Sequence, residues 1–187
     1  MSPGPLTPAG PLSDGTVTLR PWREADASFY ATAVVDAEIQ RWTTERPDLT
    51  EDAARKAIAR HLAEPKHVAL AITDAATGTP AGNIAMASAD WSSGVAEAMY
   101  WLAAGWRGRR FSSAALRLLW DWSVRTLGLR RIELVIDPDN APSRRAAEAA
   151  GFRADGSAPA RKAGGSELVR YVLDAQPERG EETRRAP

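Results

Sequence analysis

The chain has 187 residues, with 24 acidic and 24 basic side chains and no cysteine. That length is one ordinary domain with room for a sizeable core, and the cancelled charge excludes a global field that would recruit nucleic acid or an anionic membrane. The missing thiols exclude disulfides, thiolate nucleophiles and thiolate metal sites.

Met1 to Ser13 holds four of the 13 prolines and little to bury, so a flexible leader is expected over residues 1–13. Thr16 to Arg20 alternates like a strand, and Glu24 to Val35 and Glu51 to Ala63 have helical patterns. His61 and His67, the only histidines, have no ligand partners at metal-binding spacing, so no metal site is expected. Val68 to Thr73 is apolar and β-branched, and the Thr77-Gly78-Thr79-Pro80 turn leads into a returning strand at Gly82 to Ser88. Ser92-Ser93-Gly94 then turns the chain into Val95 to Leu102, completing a three-stranded meander. Phe111, Ala115, Leu118, Leu119 and Trp122 share one face of a helix that Gly128 stops near Leu127. Trp120 and Trp122 are two apart on that helix, which leaves at least one of them half exposed. Arg131 to Asp137 is a strand with Ile132, Leu134 and Ile136 on one side, followed by a short helix from an Asn140 cap to Gly151. Phe152 begins a last hairpin that returns through Leu168 to Leu173, and a charged, apolar-poor tail is expected over 176–187. The order indicates an α+β domain over 14–175, a mixed central sheet flanked by helices, with one parallel pair at its centre. No run of about 18 apolar residues and no signal-peptide pattern is present, so a cytoplasmic protein is expected.

The stretch Trp106-Arg107-Gly108-Arg109-Arg110-Phe111-Ser112-Ser113-Ala114 lies between a strand and the strongly periodic helix. A short Gly-containing loop at a helix start presents unpaired amides at the positive end of the helix dipole. Three arginines add formal charge, so phosphate or pyrophosphate is the expected ligand. The alternative is a basic, solvated helix start. No G-x-x-x-x-G-K-[ST] pattern is present, which disfavours a P-loop nucleotide binder.

Arg107-Gly108-Arg109-Arg110-Phe111-Ser112, followed by Asn140-Ala141-Pro142-Ser143 and Gly151-Phe152, resembles the two core motifs of the GNAT N-acetyltransferases in their proper order. Leu19-Arg20-Pro21-Trp22 and Ala96-Glu97-Ala98-Met99-Tyr100-Trp101-Leu102 are similar to the ribosomal-protein (RimJ/RimL-like) branch. The resemblance implies a splayed GNAT-like sheet and acetyl-CoA as acyl donor, with Arg107, Gly108, Arg109, Arg110, Phe111 and Ser112 at its diphosphate. It puts the main chain of Leu102 and Ala103 against the pantetheine arm as an added strand, and Asn140 and Ser143 beside the cofactor. Arg110 stands where the family has glycine, either turned outward in the same conformation or adding a charge-assisted contact to phosphate.

Thioester aminolysis needs a neutral amine, oxyanion stabilisation and a proton for the thiolate. The family's tyrosine acid falls on Ala147, so Ser143 is the candidate acid; its alternative is a first-turn serine satisfying backbone. Glu97 and Glu133 flank the expected splay and are candidate bases, with cross-strand pairing as their alternative role. Tyr100, three residues past Glu97, falls on the opposite face unless a bulge intervenes. Trp42 and Trp91 lie where related proteins build the acceptor pocket. The expected reaction is acetyl transfer to a primary amine, a small molecule or a protein N-terminus, with no nucleic-acid or membrane partner and with pairing into homodimers common in the branch. A succinyl or other acyl donor, and a non-catalytic acyl-CoA sensor, are the alternatives.

Overall fold

In the computed structural model, which describes residues 6–159 and 167–175, the elements run β1 (Leu12–Ser13), β2 (Val17–Pro21), α1 (Ala27–Ala33), α2 (Ala37–Trp42), α3 (Glu51–Ala63), β3 (Ala69–Asp74), β4 (Pro80–Asp90), β5 (Val95–Leu102), α4 (Phe111–Trp122), β6 (Arg131–Ile136), α5 (Ala141–Ala149), β7 (Arg153–Ala158) and β8 (Leu168–Asp174). The tail expected over 176–187 and the first five residues lie outside the described residues. The strands form one sheet in the order β1-β2-β3-β4-β5-β6-β8-β7. Among the described residues β5 and β6 are the one parallel pair, joined through α4 as the strand–helix–strand pattern requires.

Helices cover both faces. α4 and α5 close a core built on Leu19, Ile72, Ile84, Leu116, Leu119 and Ile132. Each such aliphatic side chain contributes about 1.5–3 kcal/mol on burial. α1 to α3 close a second core of Trp22, Ile39, Ile58, Ala71 and Trp101 on the other face. Trp120 is half-buried and Trp122 buried, as their spacing requires. A bidentate pair between Arg20 and Asp26, at 2.7 and 3.0 Å, ties β2 to the turn that enters α1. Both side chains are 8% exposed, so removing one partner strands a buried charge at a cost of about 3–5 kcal/mol.

Three features differ from the sequence expectation. The pattern over Glu24 to Val35 resolves into a 3-10 turn at Glu24–Asp26 and a shorter α1. α2 was not expected; Asp36 caps it by accepting from the amides of Glu38 and Ile39. Part of the segment read as a leader is built into the sheet, since Leu12 and Ser13 pair with Leu19 and Thr18. Leu6 also packs on the first core.

Candidate active site

The central strands part company after three rungs. β5 and β6 pair only at Val95↔Arg131, Ala96↔Ile132 and Glu97↔Glu133. Beyond Glu97, β5 stays on β4 through Gly82↔Leu102, while β6 stays on β8 through Ile136↔Val169. The inner edges diverge into a gap that widens toward the carboxyl ends of both strands. A register shift on β4 between Met86 and Ser88 sits opposite Ala98 and Glu97, level with the last shared rung. A bulge sharpens local twist, which accounts for the divergence starting there. Ala103 donates to the Ala81 carbonyl at 2.9 Å. By ladder alternation, the main chain of Leu102 therefore turns the other way, into the gap. At Gly82 an added Cβ would stand 2.1 Å from the Trp101 carbonyl, so only glycine permits this approach of β4 and β5.

The loop entering α4 lies at the wide end of the gap. Gly108 (φ 75°) and Arg110 (φ 63°) are both left-handed, and Arg110 is the only non-glycine with positive φ among the described residues. Arg110 thus keeps the backbone shape its family glycine would give, with an exposed side chain, at a strain of about 1–2 kcal/mol. No side chain caps α4. Among the described residues the amides of Gly108, Arg109, Phe111 and Ser112 meet no protein acceptor, so this turn can receive an anion. Trp106 packs on Phe111 at 5.2 Å, and the Arg109 guanidinium lies 5.2 Å over the Trp106 ring. Arg107 is occupied otherwise: its Nε donates to the Leu102 carbonyl at 3.0 Å, and its guanidinium pairs with Asp36. That contact holds the Asp36 carboxyl below its usual range and links the loop to the start of α2.

Across the gap, Asn140 caps α5 by accepting from the Ser143 amide at 3.1 Å. The Ser143 hydroxyl lies 2.9 Å from the Tyr100 hydroxyl. Burial raises the Tyr100 phenol above its ordinary value, and the Ser143 contact opposes that rise. Tyr100 stands on the α4/α5 face, opposite Glu97, as strict alternation requires; the bulge lies on β4 instead. Its partnership with Ser143 was missed in the sequence, although its parity with Ala98 and Leu102 already pointed to the face on which α5 lands.

On the other face, Glu97 and Glu133 stand side by side on the last shared rung, where paired residues face the same way. Two guanidinium groups approach the Glu133 carboxylate, that of Arg170 at 3.3 Å and that of Arg131 at 3.8 Å. Further along this face Trp101 and Tyr30 both donate to Oε1 of Glu45, at 2.9 and 2.8 Å. Burial, then the Glu45 charge, pushes the Tyr30 hydroxyl far above its ordinary range. Glu45 lines a pocket of about 630 Å3 together with Trp22, Tyr30, Ile58 and Met99. Trp42 is not among its lining residues: its indole bonds Glu38 on the surface of α2, with Arg41 stacked over it. Trp91 packs at the β4–β5 turn against the first core. Among the described residues no cluster of three or more potential metal ligands occurs, and no helix is long and apolar enough to cross a membrane.

No curated protein matches the sequence. Solved structures share the fold. Mycobacterium smegmatis RimJ in complex with CoA-disulfide superposes with a TM-score of 0.75 at 23% identity, covering 94% of this chain and 90% of that one. The RimL ribosomal alpha-N-protein acetyltransferase in complex with coenzyme A gives 0.75 at 20% identity over 88% and 96% of the two chains. A chimera of spermidine N-acetyltransferase SpeG from Vibrio cholerae and hSSAT gives 0.70 at 18% over 85% and 95%. The acetyltransferase (GNAT) domain model matches residues 16–153, spanning both the split strands and the α4 and α5 motifs, and the chain belongs to the GNAT acetyltransferase family.

Proposed function

We propose that this enzyme transfers the acetyl group of acetyl-coenzyme A directly to a primary amine, on a small molecule or a protein N-terminus. The observation that carries the reading is the gap between β5 and β6, which opens onto the uncapped amides of α4. Acetyl-coenzyme A supplies a thioester carbonyl for an amine to attack and a thiolate to leave. The amides of Gly108, Arg109, Phe111 and Ser112 bind the diphosphate, and the exposed Arg110 side chain adds a charge-assisted contact. Leu102 and Ala103 line the pantetheine path, with the Leu102 amide as donor. Arg107 acts as a strut that holds the loop, since its donors are already taken by Leu102 and Asp36.

Asn140 fixes the first turn of α5 and thereby Ser143. The Ser143 hydroxyl gives its proton to the departing sulfur and recovers one from solvent, while the Tyr100 hydroxyl, 2.9 Å away, holds it in position. Glu97 or Glu133, on the opposite face, accepts through intervening water the proton that the acceptor ammonium loses to become the attacking amine. Relatives named for ribosomal-protein and spermidine acetylation support an amine acceptor. Thiol release from acetyl-coenzyme A, measured against a panel of amines, tests the reading. Release that rises with one class of amine supports it, and release indifferent to every amine contradicts it.

A further inference from the structure

The pocket on the α1–α3 face is dipolar. At one end the Glu45 carboxylate is held in an aromatic frame: Tyr30 packs edge to face on Trp101 at 5.3 Å and on Trp22 at 4.9 Å. Both of its donors converge on Oε1, while a carboxylate has about four acceptor positions over its two oxygens; Oε2 remains for a ligand. Arg46 beside it is paired with Asp48. At the other end Arg60, His61, Lys66 and His67 line the pocket against one carboxylate, Glu64. Among the described residues no ion pair takes up Arg60 or Lys66. The two imidazole rings lie 4.8 Å apart, tilted to each other, and burial, then the neighbouring His67, lowers the His61 pKa.

The sheet register sets the distance between the ends. Ala71, Asn83 and Trp101 share one rung, so the Glu45 end sits at that level. His67 lies four residues before Ala71, in the bend that precedes β3, so at most about 13 Å separates it from that level. An extended peptide covers that distance in about four residues. Met99 forms floor between the two ends. Trp101 belongs to a strand that borders the gap, so an amine at Glu45 lies on the thioester's side.

We infer that the acceptor is an extended peptide N-terminus carrying an acidic residue at its third or fourth position, with the ammonium at Glu45 and the acidic side chain at Arg60, His61, Lys66 and His67. The inference rests on the transferase reading for what happens to the amine. It disfavours a polyamine, whose second ammonium would face the basic end.

Calorimetric titration of the full chain saturated with coenzyme A tests it. The probes are a pentapeptide amide with glutamate at positions three and four, its lysine counterpart, and spermidine. The glutamate peptide binds at least tenfold more tightly than the other two. The Lys66→Glu, Arg60→Glu double variant, altered only at exposed side chains, brings the two peptides to parity or reverses them. Glu45→Gln weakens both peptides alike. Equal or tighter binding of the lysine peptide or spermidine overturns the inference. So does an unchanged preference in the double variant, or no binding of the glutamate peptide. Thiol release on the same samples separates the two readings. A glutamate preference without turnover sinks acetyl transfer and supports the pocket; turnover with the opposite preference does the reverse.

Discussion

Tyr100 and Trp101 are neighbours in sequence and work on opposite faces of β5. On the α4/α5 face, small Ala96 and Ala98 let the helices close, and Tyr100 carries its hydroxyl through that layer to Ser143. On the α1–α3 face, Glu97, Met99 and Trp101 are larger or polar, and Trp101 fixes Glu45 instead of filling space alone. On the function proposed above, β5 separates donor chemistry from acceptor recognition by side-chain parity. Substitutions on the two faces should move different kinetic constants.

The largest effect expected is at Ser143. Ser143→Ala lowers kcat by about 100-fold or more, the scale of a lost general acid, with coenzyme A affinity unchanged. Tyr100→Phe follows it in direction at about tenfold, one hydrogen bond's worth. Steady-state kinetics with an equilibrium titration of coenzyme A check both, and a change confined to acceptor KM would break the division between faces. Gly82→Ala acts on both faces at once, because its Cβ meets the Trp101 carbonyl backbone. It lowers stability by about 3 kcal/mol, at the upper end for overpacking, and urea denaturation reads it. Trp101→Phe keeps a ring and loses the Glu45 bond; acceptor KM rises by about fivefold to tenfold while KM for acetyl-coenzyme A holds.

The smallest effects lie in the anion loop. Arg107→Gln costs about 1 kcal/mol or less, since its partner pair is partly exposed. Arg107 depresses the Asp36 carboxyl, so the pair's stabilisation is complete above about pH 4 and is lost as pH falls through the lowered titration. The difference in Tm between wild type and Arg107→Gln should therefore close on going from about pH 7 to about pH 3. A difference independent of pH would show that the pair contributes through packing alone.

The local geometry of the proposed donor side is legible in the sequence because it is contiguous. The Gly108 to Ser112 loop and the Asn140-to-Ser143 cap are contiguous motifs whose geometry follows from a helix start, and Ile132, Leu134 and Ile136 alternate plainly. The Arg110 alternatives were also open to reading, and the structure has it left-handed. What could not be read depends on distant partners. The divergence is tied to a bulge on β4, 46 residues of chain away from its counterpart on β6 (Glu133 minus Ala87). Glu45 sits in a loop without a motif and acquires meaning only from Trp101 and Tyr30, 56 and 15 residues away. In the sequence Arg107 reads as part of the anion loop, since nothing there ties it to Asp36, 71 residues earlier; the structure gives its donors to Leu102 and Asp36. The sequence offers Trp42 and Trp91 as candidate acceptor residues; the structure has Trp42 bonded to Glu38 on α2, Trp91 against the first core, and Trp22 lining the Glu45 pocket.

The central claim is that the amides entering α4 hold the cofactor's diphosphate while the gap takes its arm. Backbone amide NMR during titration with coenzyme A tests it directly. The account predicts that Gly108, Arg109, Phe111 and Ser112 shift together and saturably, with Leu102 following. Saturable binding that leaves these amides unmoved, or no binding at millimolar coenzyme A, would contradict it.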